Sequence, residues 1–106
     1  MQKYVFLLLL ALPLFASAAP RLVDISIKNS QFQPAQLHIA AGEKIKLKII
    51  NQDDSAEEFE SYELNREKLV AGNSSIYIFI GPLDAGEYPF FGEFHPDMAR
   101  GVVIVE

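Results

Sequence analysis

The sequence predicts an all-β domain, an antiparallel β-sandwich of about seven short strands, on three observations. Apolar and polar residues alternate in several separate runs, and turn-forming residues stand between those runs. Helix-forming composition is confined to one short stretch, Tyr62 to Leu69. Short strands with period-two alternation and regular turn signals are the pattern of a sandwich.

The chain of 106 residues opens on a different kind of segment. Lys3 precedes the apolar run Tyr4 to Phe15, and Ala16-Ser17-Ala18 follows it. A positive start, about a dozen apolar residues and a small-x-small close are the marks of a secretory signal peptide. The run is short for a membrane span, which takes about 20 residues. Residues 1–18 are therefore expected to be a signal peptide and 19–106 a single exported, periplasmic domain with no span of its own.

In that domain, Val23, Ile25 and Ile27 alternate with polar neighbours and predict a half-buried strand, broken at Asn29-Ser30. Phe32, Leu37 and Ile39 lead to a turn at Ala41-Gly42-Glu43. Lys44-Ile45-Lys46-Leu47-Lys48-Ile49-Ile50 is the cleanest alternation, with isoleucine and leucine inward and three lysines toward water. A polar loop, Asn51 to Ser55, follows. Ser74 to Ile80 is a further strand ended by Gly81-Pro82, Asp84-Ala85-Gly86 is a turn before Tyr88 to Phe91, and Gly101 to Glu106 closes the chain as a strand. His38, between Leu37 and Ile39, is expected on the outer surface.

Composition removes several function classes. There is no cysteine, which excludes disulfides, cysteine zinc sites, iron–sulfur clusters, cysteine nucleophiles and a thiolate blue-copper centre. Fourteen acids against nine bases argue against a nucleic-acid partner. No nucleophile elbow, phosphate loop or dinucleotide fingerprint is present.

Two segments carry the chemistry. Asp53 to Glu67 holds seven of the fourteen acids and a single base, Arg66, a density that repels itself unless a cation is near. The second segment, Tyr88 to Met98, sets aromatics around Glu93, His95, Asp97 and Met98. Carboxylate suits hard ions, imidazole suits first-row transition metals, and thioether suits copper(I).

Phe32-Gln33-Pro34, Gly42-Glu43-Lys44, Asn51 after a strand, Tyr88-x-Phe90 and above all His95-Pro96-Asp97-Met98 with Gly101 after it make the chain resemble the cupredoxin family. The resemblance is nearest to the cupredoxin-like domains found with bacterial iron-uptake proteins of the EfeO type, and it implies a Greek-key sandwich. It puts His95 in the place of the family's second histidine ligand and Met98 in that of its axial methionine. Gly92 stands where the family has its cysteine, and counting back from Phe59 puts Glu57 at the first histidine's place, with Glu58 and Glu60 beside it. In an extended segment Glu58 and Glu60 share one face, and Glu57 shares the other with Phe59. The sequence leaves open which of the three points into the site.

The resemblance thus implies a metal site drawn from Glu57, Glu58, Glu60, Glu93, His95 and Met98, with Glu67 or Asp97 as candidates for a second one. Oxygen donors favour a hard ion, iron before copper, and stabilise ferric over ferrous iron. The function implied is a periplasmic protein that binds iron and serves ferrous oxidation or delivery in a high-affinity uptake system. Its partners would be a membrane iron permease and associated periplasmic iron-binding proteins, and its activity of ferroxidase type. Two other readings stay open: a copper(II)-binding chaperone or resistance protein, and a metal-free interaction module.

Overall fold

The computed structural model describes residues 19–106, so the leader read over residues 1–18 lies outside the described residues. Nine short strands form two facing sheets. They are β1 (Arg21–Lys28), β2 (Gln31–Gln33), β3 (Gln36–Ile39), β4 (Ile45–Asn51), β5 (Glu57–Ser61), β6 (Arg66–Val70), β7 (Ser75–Ile80), β8 (Gly86–Gly92) and β9 (Arg100–Val105). One sheet runs β2-β1-β4-β7 and the other β3-β9-β8-β5-β6. The chain therefore crosses between sheets repeatedly, as a sandwich requires. Among the described residues no helix is long and apolar enough to cross a membrane.

Nine strands stand where about seven were expected, for two local reasons. The stretch from Phe32 to Ile39 is split at Pro34-Ala35, so that β2 pairs with β1 in one sheet and β3 with β9 in the other. Tyr62 to Leu69, helix-forming by composition, is instead a turn followed by β6. Asn65 ends that turn in the left-handed region at φ 53°, a conformation asparagine tolerates well. The Ser61 hydroxyl accepts from Leu64 N at 3.1 Å and donates to Pro89 O at 2.7 Å, which ties the turn to β8. The sheets are also mixed: β1 pairs with β4, and β3 with β9, in parallel.

Alternation places the core as the sequence pattern requires. Ile45, Leu47 and Ile49 are buried on the inner face of β4 beside Ile25 and Ile27 of β1. Phe32, from the same sheet, packs with Phe59 and Phe90 of the facing sheet at ring-centroid separations of 5.0 to 6.0 Å, with two edge contacts and one stack. Aromatic groupings of this kind contribute beyond their buried area. Lys46 and Lys48 lie on the outer face, and the Lys46 ammonium sits 4.3 Å from the centre of the Tyr77 ring. His38 is exposed.

Asn51 fixes the entry to β5. It is 1% exposed, and its amide donates to Ser55 O, Val70 O and Ala71 O at 2.9 to 3.3 Å. Its side-chain oxygen accepts from Asp53 N at 3.1 Å. The Asp53 carboxylate in turn accepts from Asn29 N and Ser30 N at 2.8 and 2.9 Å, in the turn between β1 and β2. Asn51→Asp removes the amide donor and turns an oxygen toward those carbonyls. A loss of about 1–3 kcal/mol is expected, the cost of a buried polar group left unmatched. Urea denaturation of the two proteins measures it, and equal midpoints with equal slopes would show that the amide holds nothing.

Candidate metal centre

The period of a strand decides the geometry of the site. Along β5, Glu57, Phe59 and Ser61 are buried while Glu58 and Glu60 between them are half-buried on the other face. The six candidate residues are divided accordingly: Glu57 and His95 meet inside the end of the sandwich, Glu58, Glu60 and Glu93 gather outside it, and Met98 stands exposed in the loop.

Glu57 is 2% exposed. Its Oε1 accepts from Phe94 N at 2.8 Å and from Glu58 N at 2.9 Å. Its Oε2 lies 2.7 Å from His95 Nδ1. Because a carboxylate only accepts, the hydrogen of that contact resides on Nδ1. The His95 side chain is 38% exposed.

The loop between β8 and β9 is wound tightly around this pair. His95 O accepts from Met98 N at 3.1 Å and Ala99 N at 2.8 Å, and Gly92 N donates to Ala99 O at 2.9 Å. A Cβ on Gly92 would stand 2.6 Å from Glu57 Cδ, 2.8 Å from Glu57 Oε2 and 2.7 Å from Ala99 Cβ. Only glycine fits there. Met98 is 54% exposed, and Asp97 is exposed beside it.

On the outer face the antiparallel register of β5 and β6 sets Glu60 opposite Glu67. Glu58, Glu60 and Glu67 each offer an oxygen within 4.8 Å of the others. Glu93 is brought alongside by its backbone N, which donates to Glu58 O at 2.9 Å. The neighbouring cations point away from this cluster. Arg66 donates to Phe79 O, Leu64 O and Asn65 O, and Lys68 to Tyr77 O. Among the described residues, the only Lys or Arg paired with a carboxylate is Arg21, with Glu43, while His38 approaches Glu106 and His95 meets Glu57.

The uncompensated charge shows in proton affinity. A shared hydrogen bond with Glu67, then desolvation and the charges of Glu67, Glu60 and Glu93, push the Glu58 carboxyl up to about 7. Glu60 is raised by desolvation and by Glu93, and Tyr62 chiefly by the charge of Glu60. Such a cluster holds a proton where it lacks a cation.

Glu67 belongs to the outer cluster, and the sequence offered it only as part of a second site. The signal that finds it is the Glu60–Glu67 spacing across a four-residue turn, which reading Tyr62 to Leu69 as helix-forming conceals.

Comparisons with known proteins agree with this architecture. A family model described as a cupredoxin-like domain matches residues 3–105. An uncharacterized protein of Rickettsia prowazekii (strain Madrid E) is 47% identical over 83 residues, which span 78% of this chain and 66% of that protein. Auracyanin A, a "blue" copper protein from Chloroflexus aurantiacus, superposes with a TM-score of 0.72 at 14% identity, covering 83% of this chain and all of that one. The metal-binding domain of the Cu(I)-exporting P-type ATPase CopA of Streptococcus pneumoniae D39, solved with Cu(I), gives 0.68 at 15% identity over 80% and 84% of the two chains. Amicyanin from Paracoccus versutus gives 0.63 at 24% identity over 85% and 87%. These structures establish a shared fold.

Two outcomes follow from the geometry. The folded chain holds the Glu58 proton up to about 7, whereas the unfolded carboxyl releases it near 4.5. The native state therefore binds more protons between those values, and stability falls as pH rises through that window. In chelator, thermal unfolding should be lower at pH 8 than at pH 5, and Glu58→Gln should flatten the difference. A profile that Glu58→Gln leaves unchanged would show that this carboxyl does not set it. Separately, His95→Ala leaves Glu57 buried without its imidazole. The expected loss in urea denaturation is at the low end of about 3–5 kcal/mol, because His95 is partly exposed, and an unaltered midpoint would count against the pairing.

Proposed function

This chain belongs to the cupredoxin-like domain family, and on that premise we propose that it is an exported periplasmic protein that binds iron as cargo through the carboxylates of Glu58, Glu60 and Glu67, with Glu93 at the rim. The observation that carries the reading is the convergence of three carboxylates from two strands within 4.8 Å, with the adjacent Arg66 and Lys68 turned to backbone carbonyls instead. Anions placed this closely repel one another, and a small cation of high charge is the partner that relieves them.

The family's copper is a poor fit to this chain. Gly92 supplies no thiolate, and its missing Cβ leaves no volume for one beside Glu57 and Ala99. An all-oxygen set favours hard ions and, for iron, the ferric over the ferrous state. That bias suits both oxidation of ferrous iron and its retention for delivery. The chain's own part is to gather the carboxylates and to exchange the proton held at Glu58 for the ion. In an uptake system it would receive iron in the periplasm and pass it toward a membrane permease, alone or with other periplasmic iron-binding proteins.

Anaerobic calorimetry with Fe(II), and parallel titrations with Mn(II), Cu(II) and Cu(I), tests the reading. Iron and manganese should bind in the micromolar range, and Glu60→Gln with Glu67→Gln should weaken them by about tenfold or more, equivalent to at least about 1.4 kcal/mol. Affinities no tighter than about millimolar, roughly 4 kcal/mol, or an affinity indifferent to both substitutions, would overturn it.

A further inference from the structure

We infer that the Glu57 carboxylate itself fills the position at which this family holds its metal, so that the Glu57–His95 pair is an internal closure of the sandwich end in place of an ion. Three observations converge on this. By the correspondence read from the sequence, Glu57, Gly92 and His95 stand at three of the ligand places, and in the structure these three residues are in mutual contact. A Cβ at residue 92 would penetrate Glu57 Cδ and Oε2, at 2.6 and 2.8 Å. Glycine at 92 and glutamate at 57 are thus one paired adaptation: the space released by the missing side chain is taken by the carboxylate.

The second observation is the separation of Oε2 from Nδ1, 2.7 Å. The observed distance is that of a charge-assisted hydrogen bond. The third is saturation of the carboxylate: Oε1 already takes the Phe94 and Glu58 backbone hydrogens, and the group is 2% exposed. An ion entering here would have to open the loop from Gly92 to Ala99, whose turns are closed by His95 O.

The closure also has a task. Through Phe94 N it anchors the loop that carries Glu93, and through Glu58 N it anchors the strand whose outer side chains form the acidic face. Glu57 is therefore a positioning residue for that face. The inference does not depend on which ion, if any, the acidic face takes.

The test reads the His95 ring by nitrogen-edited NMR while Cu(I) is added to the protein. The Nδ1–H signal and its proximity to Glu57 should persist at one equivalent of Cu(I), even if copper reaches the ring's other nitrogen. In parallel, Glu57→His combined with Gly92→Cys removes the carboxylate that blocks a side chain at 92 and restores the ligands, and requires the neighbouring Ala99 Cβ, 2.7 Å from the new Cβ, to give way. This variant, once circular dichroism shows it folded, should gain an intense visible thiolate-to-copper absorption with Cu(II) that the native protein lacks. Loss of the Nδ1–H signal on adding Cu(I) to the native protein would overturn the inference. So would a folded double variant that develops no such absorption. If the double variant fails to fold, the NMR titration of the native protein decides alone. Loss of iron binding at the acidic face with an intact Nδ1–H signal would refute the proposed cargo and leave this inference standing.

Discussion

A carboxylate sealed from water is the constraint from which the rest of this structure follows. Desolvating an ionised group costs several kcal/mol unless every lone pair finds a donor. Glu57 finds two backbone hydrogens and an imidazole. To supply them, the loop after β8 must pass within hydrogen-bond distance of β5 and turn back at His95. Gly92 must give up its side chain, and His95 must present Nδ1 inward. One buried anion thus dictates the backbone path, a residue identity and a ring orientation.

The outer face inherits its arrangement from the same strand. With Glu57 inward, the two-residue period sends Glu58 and Glu60 outward, and the loop that reaches in to Glu57 leaves Glu93 beside them. The register of β6 then adds Glu67 opposite Glu60. The acidic face and the interior pair are two sides of one strand. The strand thus carries a buried carboxylate–imidazole pair on one side and a solvent-facing set of oxygens on the other. Phe59, on the same face of β5 as Glu57, joins Phe32 and Phe90 in the core.

Much of this was legible in the residues because period-two alternation is a strong local signal. Val23 to Ile27, Ile45 to Ile49 and the closing strand all read correctly, and so did the outward position of His38. The split at Pro34-Ala35 and the strand Arg66–Val70 were not legible. Both depend on which distant strand accepts the backbone, and β6 is held in place by pairing with β5 against the helical preference of its own composition. Parallel pairing of β1 with β4 is long-range in the same sense. At the site, the His-Pro-x-Met spacing located Gly92 and His95 in the loop before the last strand, but it marked His95 as a metal ligand and gave no sign of its contact with Glu57. The orientation of Glu57 against Glu58 and Glu60 was not legible either, because alternation defines two faces without saying which is inside. The burial of Phe59, and hence of Glu57 two residues before it, supplies that answer only once the core is assembled.

The central claim is that carboxylate chemistry has moved outward while the interior position is closed. Anomalous diffraction at the iron absorption edge, from crystals grown with iron, locates the ion directly. A peak coordinated by Glu58, Glu60 and Glu67, with Glu57 and His95 still in contact, is the result this account predicts. A peak between Glu57 and His95, with that contact parted, would contradict it.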